Sequence, residues 1–278
     1  MDALIPHRLS TLGHPQRLAV FRLLMRRYPD RVPATELAQA LGLKPNTLST
    51  YVSALMQAGL ISQQRHGTSL RYAIDMDAAR DTIGYLLHDC CRGRPEICAP
   101  EATPAPAQTG GKYNVLFVCT GNSARSILAE AMLRDIAGDR FATYSAGTTP
   151  RATLHPAARA LLEQSGHDIS GLRSKHIAEF QQPDAPEFDF VFTVCNQAAN
   201  EDCPTWSGQP VTAHWGLADP AAAAGSDTQM TRAFAQTYAT LHQRLSALAA
   251  LPIAELAPLP LQQALDTIGQ SHHEGPKQ

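Results

Sequence analysis

The stretch YNVLFVCTGNSARSILAEAMLRDIAG, residues 113–138, decides the fold of the longer part of this chain. Apart from Asn114, Tyr113 to Cys119 is a continuous apolar run rich in β-branched and aromatic side chains, the pattern of a parallel strand buried on both faces. Ile127, Met132 (with Ala131) and Ile136 then recur at helical spacing, and Gly138 stands just past the end. Strand, tight loop and helix in that order place Cys119 at the lip of a loop whose backbone N–H groups point inward at a helix N-terminus. Such a loop is an anion cradle, and its positive potential lowers the pKa of a thiol held there. Arg125, six residues on, presents a planar fork that fits two oxygens of a tetrahedral oxyanion, and Ser126 has a hydroxyl to donate to the thiolate. Thr120, Gly121, Asn122, Ser123, Ala124 and Arg125 are therefore the expected oxyanion-binding residues.

Immediately upstream, APEATPAPAQTGGK (residues 99–112) carries three prolines and two glycines and no apolar side chain larger than alanine, so it reads as a semi-stiff linker. It separates two parts of opposite charge. Residues 1–100 hold 12 Lys+Arg against 8 Asp+Glu, whereas the whole chain of 278 residues has a net charge of −2. The expected organisation is a basic domain over residues 1–98, the linker, an α/β domain over residues 113–251, and an extension over residues 252–278 with one short helix from Leu261 to Ile268. A hydrophobic content of 44% and a charged content of 17% exclude disordered, collagenous and fibrous classes. No apolar run approaches the ~20 residues that span a bilayer, and the opening MDALIPHRLS lacks the apolar core of a signal peptide. The expectation is a cytoplasmic protein with no membrane partner.

In the basic part, Leu18, Phe21, Leu24 and Met25 give a first amphipathic helix after His14-Pro15. A shorter helix over Thr35 to Leu41, with Leu37 and Leu41 inward, stops at Gly42. A longer one begins near Pro45 and buries Leu48, Val52, Leu55 and Met56. Short helix, tight turn and longer helix form a helix-turn-helix. Lys44, Asn46, Thr47, Ser49, Thr50 and Tyr51 crowd the N-terminal half of the longer helix, where a major-groove reader needs polar groups. ISQQRHGTSLRYAID alternates and turns at Arg65-His66-Gly67 as a β-hairpin wing, from which Arg65 and Arg71 reach phosphates. The ordinary alternative is a solvated helix face.

The six cysteines fall three and three: Cys90, Cys91 and Cys98 before the linker, Cys119, Cys195 and Cys203 after it. That split suits thiol chemistry better than a disulfide framework. Three convergent thiolates favour a soft ion with trigonal sulfur coordination, such as trivalent arsenic or antimony. A zinc or cadmium site recruiting His88, or simple packing, are the alternatives.

Residues 7–98 resemble the ArsR/SmtB family of winged-helix metalloregulators through LGHPQRLAVFRLL, ELAQALGLKPNTLSTYVSALMQAGLI and RHGTSLRYAI. The resemblance implies a homodimer that binds operator DNA and releases it when a thiophilic ion binds. The cluster HDCCRGRPEIC looks like that of the family's arsenite sensors.

Residues 113–250 resemble the low-molecular-weight tyrosine phosphatases and the arsenate reductases built on the same fold, through Cys119, the five-residue loop and Arg125-Ser126. The resemblance implies a four-stranded parallel sheet and makes Cys119 the nucleophile and Asp219, in HWGLADP, the general acid. Ala221 stands where the tyrosine phosphatases carry a tyrosine after Asp-Pro, which weakens the phosphatase reading. FDFVFTVC reads as a strand ending at Cys195, and Cys203 follows it. By the resemblance these two are the reductases' relay pair: Cys195 attacks Cys119 and releases arsenite, then Cys203 attacks Cys195. The disulfide is opened by an external thiol reductant, thioredoxin or glutathione with glutaredoxin, and no cofactor is held for catalysis. Some reductases hold a potassium ion beneath the cradle with residues matching Asn122, Glu130 and Ser145; the place of a further carboxylate ligand is taken here by Lys175, whose ammonium would stand in for the ion. The whole then reads as an arsenite-responsive repressor fused to an arsenate reductase. A phosphatase with a DNA-binding domain and a transcription factor with a non-catalytic oxyanion-sensing domain are the alternatives.

Overall fold

The structure, a computed structural model, describes residues 4–92, 111–201, 206, 208–223 and 226–271. The chain divides into two compact units, Met1–Thr103 and Pro104–Gln278.

The first unit runs α1 (Leu4–Leu12), α2 (Pro15–Arg26), β1 (Val32–Pro33), α3 (Ala34–Ala40), α4 (Pro45–Gln57), β2 (Ile61–His66), β3 (Ser69–Ile74) and α5 (Met76–Gly84), which continues as a π-helical turn over Tyr85–Cys90. The strands form an antiparallel sheet in the order β1-β3-β2. Gly42 takes φ 62°, a left-handed turn that frees α4 to start on Pro45, and α4 buries Leu48, Val52 and Leu55. The wing pairs through His66↔Ser69, so its turn is Gly67-Thr68, displaced from Arg65-His66 because Gly67 is the residue that accepts φ 61°.

One expectation fails here. On α2 the buried side chains are Val20, Leu23 and Leu24, while Leu18 is 40% and Met25 37% exposed. The helix packs against α1, α4 and β3 along the Val20–Leu24 face, which leaves Leu18 and Met25 on its flank. Helix α1 lies before the helices expected from the sequence, although Ile5, Leu9 and Leu12 recur in it at helical spacing. Its place depends on a buried arginine, Arg8, which donates to the Ala58 carbonyl at 3.2 Å and the Ala78 carbonyl at 3.3 Å.

The second unit runs β4 (Tyr113–Cys119), α6 (Arg125–Ala137), β5 (Phe141–Gly147), α7 (Pro156–Gln164), β6 (Phe190–Thr193), α8 (Asn196–Asn200), β7 (Val211–His214), α9 (Asp227–Ala250) and α10 (Pro258–Gln270), with short 3-10 turns at Ile177–Gln181, Pro220–Ala222 and Ile253–Glu255. Its four strands are all parallel in the order β5-β4-β6-β7. Every residue of β4 is buried, including Asn114, whose Nδ2 donates to the Glu187 carbonyl at 2.7 Å. The chain leaves β4 for β5 on one side and later fills β6 on the other, so the carboxyl ends of β4 and β6 flank a topological switch point, the usual ligand crevice of such sheets. Strand β6 ends at Thr193, short of Cys195, because Cys195 turns out of the sheet to cap α8.

The segment after Pro252 belongs to this unit. Helix α10 starts earlier than expected, on Pro258, and buries Leu261, Leu265 and Ile268. Trp215 Nε1 donates to the Leu265 carbonyl at 3.0 Å, and Gln262 Nε2 donates to the Thr212 carbonyl at 3.0 Å, which ties the helix along β7.

Candidate active site

Cys119 ends β4, and the loop from Thr120 to Ala124 folds back to start α6 at Arg125. A parallel segment orients that loop. The amides of Thr148, Thr149, Arg151 and His155 donate to the carbonyls of Cys119, Thr120, Gly121 and Ser123 at 3.1, 2.9, 2.9 and 2.8 Å. With the carbonyls held outward, the amides of the loop are left to face the thiol, and the Asn122 N–H donates to Cys119 Sγ at 3.0 Å. Asn122 sits at φ 40° to make this turn. Gly147 is required at the crossing: a Cβ there would lie 2.5 Å from the Thr120 carbonyl oxygen and 3.0 Å from the Asn122 amide.

Beneath the thiol is a buried polar network. Ser126 Oγ is 2.9 Å from Cys119 Sγ and accepts from Asn122 Nδ2 at 2.9 Å. Asn122 Nδ2 also reaches Ser145 Oγ at 2.8 Å, and Ser145 donates to the Glu130 carboxylate. Lys175 closes the network twice: its amide donates to Asn122 Oδ1 at 2.7 Å, and its Nζ lies 3.0 Å from Glu130 Oε2. Both side chains of that ion pair are only 8% exposed. The Lys175 ammonium lies against the carboxylate that a bound cation would need, so these residues fit an internal cation and not a metal ion.

Arg125 aims across the cavity mouth. Its Nη1 donates to the Leu217 carbonyl at 2.9 Å and its Nη2 lies 3.3 Å from Asp219 Oδ2, so the proposed acid and the oxyanion fork are aligned by one ion pair. Cys195 faces the same cavity, about 1070 Å³, from the end of β6. Its Sγ is 3.5 Å from Thr120 Oγ1 and 3.5 Å from the Ala198 amide. One expectation is corrected. The Cys119 thiol is pushed up, not down, from the ordinary cysteine value: burial does most of it and the neighbouring Cys195 adds to it, outweighing Ser126, the Asn122 amide and Arg125, which pull it down.

The structure thus brings Cys119, Thr120, Gly121, Ser123, Ala124, Arg125, Cys195 and Asp219 to one cavity, with Asn122 and Ser126 beneath it. Cys203 lies outside the described residues. Sequence reasoning missed Arg151 and His155, which line the same cavity. His155-Pro156 is a helix-start signal that was available, and His155 Nδ1 does accept from the Ala157 amide at 3.2 Å. Arg151 had no local signal; it lies over Gly121, where a Cβ would be 3.4 Å from its Cγ.

This arrangement coincides with a match to the low molecular weight phosphotyrosine protein phosphatase family over residues 114–258. The chain belongs to that family. Within it, the chain is similar to an arsenate reductase of Bacillus licheniformis, 33% identical over 135 residues, which are 48% of this chain and 93% of the relative. An arsenate reductase of Bacillus subtilis is 34% identical over 131 residues, 47% of this chain and 91% of its own. A solved arsenate reductase from Archaeoglobus fulgidus is 28% identical, covers 49% of this chain and 99% of its own, and superposes with a TM-score of 0.40. A helix-turn-helix domain matches residues 12–64. A helix-turn-helix domain and a phosphatase-family domain similar to arsenate reductases are joined in one chain.

In the helix-turn-helix unit, Lys44, Asn46, Ser49 and Thr50 are exposed and Thr47 and Tyr51 half-buried; Lys44 caps the start of α4 and the others lie on its first turns. Ser49 and Thr50 donate their hydroxyls back to the Pro45 and Asn46 carbonyls at 3.0 and 3.2 Å, which leaves their oxygens able to act as acceptors. The Tyr51 ring packs on His14, centroids 5.1 Å apart, which ties the recognition helix to the start of α2. Arg65 is exposed on β2; Arg71, opposite Gln64 on β3, is half-buried. Cys90 is exposed at the end of the π-helical turn and Cys91 is half-buried beside it. Cys98 lies outside the described residues, and among the described residues no three His, Cys, Asp or Glu side chains are placed to hold an ion. None of the described helices is long and apolar enough to cross a membrane.

Proposed function

We propose that the second unit reduces arsenate to arsenite and that the first is an arsenite-responsive repressor. The observation that carries the reductase reading is the second thiol: Cys195 shares the cavity of Cys119, and Thr120 touches both sites. Hydrolysis of a phosphoester has no use for that thiol; a two-electron reduction needs it.

The Cys119 thiolate attacks arsenic, and Asp219 protonates the departing oxygen, giving a Cys119–arsenic(V) adduct. The cradle amides and Arg125 hold the remaining oxygens. Because the free thiol is held above its ordinary value, its proton leaves with oxyanion binding, either to the dianion or to solvent. Cys195 thiolate then attacks the Cys119 sulfur. An S–S bond forms, the S–As bond breaks with its electron pair on arsenic, and arsenite leaves. Cys203 attacks Cys195 and frees Cys119, and an external thiol reductant, thioredoxin or glutaredoxin with glutathione, opens the Cys195–Cys203 disulfide. Lys175 supplies the fixed positive charge beneath the cradle.

In the first unit, Lys44, Asn46, Thr47, Ser49, Thr50 and Tyr51 read an operator, Arg65 and Arg71 contact phosphate, and the unit works as a homodimer. Cys90, Cys91 and Cys98 bind trivalent arsenic or antimony. The reductase product is then the inducer of the repressor, a functional reason for joining the two in a cytoplasmic protein. The deciding measurement is arsenate turnover by the wild type and by Cys119→Ser, Cys195→Ser and Cys203→Ser, with thioredoxin and glutaredoxin systems compared. Loss in all three supports the relay, and full turnover by Cys195→Ser overturns it.

A further inference from the structure

His214 lies at the end of β7, is only 3% exposed, and has no part in the chemistry set out above. Its two ring nitrogens grip the turn that presents Cys195. Nδ1 is 2.8 Å from Thr193 Oγ1, and Nε2 is 3.3 Å from Asn196 Oδ1. Thr193 and Asn196 stand on either side of Val194-Cys195. With the Asn196 oxygen as acceptor, Nε2 carries the proton and Nδ1 accepts from the Thr193 hydroxyl, so one neutral imidazole satisfies both contacts.

Two glycines fit closely around this residue, one against its ring and one against its backbone. Gly216 passes directly over the contact: a Cβ there would lie 2.5 Å from His214 Nε2 and 2.7 Å from Asn196 Oδ1. Gly269 of α10 presses from the far side, where a Cβ would lie 2.9 Å from the His214 carbonyl oxygen and 2.6 Å from Trp215 Cδ1. Without glycine at both places the strip His214–Trp215 would have to move. Buried Arg244 adds a fixed tie, donating to the Trp215 carbonyl at 3.0 Å and to the Ser271 carbonyl at 3.2 Å.

We infer that His214, braced by the C-terminal helix, is a positioning residue for Cys195: it fixes the strand-to-helix turn so that this sulfur is aimed at Cys119 in the thiol-transfer step. The inference rests on Cys195 as the resolving thiol. Its physical content is orientational. A thiolate displaces a sulfur only in line with the bond that breaks, and Cys195 sits at the junction of β6 and the five-residue α8, where the contacts of Thr193 and Asn196 fix the backbone turn while its own sulfur meets Thr120 Oγ1 and the Ala198 amide.

The test uses the full chain with Cys203→Ser, so that a Cys119–Cys195 disulfide accumulates and is read by mass after acid quench. One arm is driven by arsenate, which is reduced to arsenite. The other is driven by diamide, which takes up the two electrons and two protons of the thiols. His214→Phe keeps the ring volume without the two polar contacts, His214→Gln keeps a donor toward Asn196, and Asn196→Ala removes only the exposed partner. Phe and Ala are expected to slow disulfide formation at least 10-fold in both arms, while Gln stays within threefold of the parent. Alkylation of Cys119 and its protection by inorganic phosphate should stay within twofold in all three. Disulfide formation at the parental rate in the Phe and Ala chains overturns the inference. So does an equal fall in Cys119 alkylation, which would mark general disorder of the fold. If the parent forms the disulfide with diamide but not with arsenate, the reductase reading fails and the diamide arm still decides the role of His214. No disulfide in either arm removes both.

Discussion

Replacing Lys175 with methionine isolates the buried ion pair. The change keeps the length of the side chain and removes its charge, which leaves the Glu130 carboxylate 8% exposed with Ser145 as its remaining hydrogen-bond donor. Breaking a buried pair from one side costs about 3–5 kcal/mol, because the surviving charge is neither solvated nor compensated. At 8% exposure for both partners there is little solvent screening to discount. With a urea slope of about 2 kcal/mol per molar, that is a fall of about 2 M in the unfolding midpoint. Both tryptophans of the chain, Trp206 and Trp215, lie in the second unit, so intrinsic fluorescence follows this unit alone. Adding Glu130→Gln to Lys175→Met removes the stranded charge and should recover all but about 1 kcal/mol of the loss. The coupling has a second readout: since the Glu130 carboxylate that Lys175 holds also takes the hydroxyl of Ser145, whose oxygen accepts from Asn122, phosphate should protect Cys119 from alkylation less well in Lys175→Met. In the wild type, potassium in place of sodium should leave turnover unchanged. A loss below about 1 kcal/mol in Lys175→Met, or a double variant that loses the sum of the two single changes, would refute the pair as the support of the cradle. Strong activation of the wild type by potassium would refute its role as the internal cation.

The Cys119 thiol is held above its ordinary value by burial and by Cys195, so its alkylation in the free protein should still be accelerating above pH 9, and Cys195→Ser should move the inflection down. By linkage the folded chain holds that proton more tightly than the unfolded chain; the associated stability is full below the ordinary thiol value and is lost as pH rises through the raised one, which urea titrations across pH 8–10 measure. Gly147→Ala sets a Cβ 2.5 Å from a backbone oxygen, and a shift of about 1–3 kcal/mol in unfolding together with loss of Cys119 reactivity is expected; unchanged phosphate protection would show that the loop yields freely. In the first unit, arsenite should release operator DNA from the wild type and not from Cys90→Ser or Cys91→Ser, while arsenate turnover persists in both; release by the two variants in gel-shift titrations would remove these thiols from sensing. Arg65→Ala should weaken binding to all DNA sequences alike and reduce the salt dependence by about one counterion, and a change confined to the specific operator would contradict a phosphate contact.

The sequence by itself determined those parts of the protein whose interactions are local. Tyr113 to Ser126 specify a buried strand, an anion-binding loop and a helix start within one contiguous run, because the apolar run, the turn and the N-terminal helix positions all act over a few residues. The same holds for Gly42 before Pro45 and for the alternating wing. Tertiary structure decided what depends on residues distant in the chain. The carbonyls of the cradle are turned outward by residues 148–155, and Cys195 meets Cys119 only because β6 pairs with β4 at the switch point. Arg8 and Arg244 are buried charges that periodicity reads as surface, since their partners are carbonyls of far-off segments that no local pattern reveals. Leu18 and Met25 read as core for the converse reason: spacing shows that a helix has an apolar side, but which edge of that side is covered depends on where α1 and α4 pack. The raised Cys119 thiol is a product of that burial too. A cradle drawn from sequence supplies only the N–H dipoles that lower its pKa, and the folded core and the second thiol are what raise it.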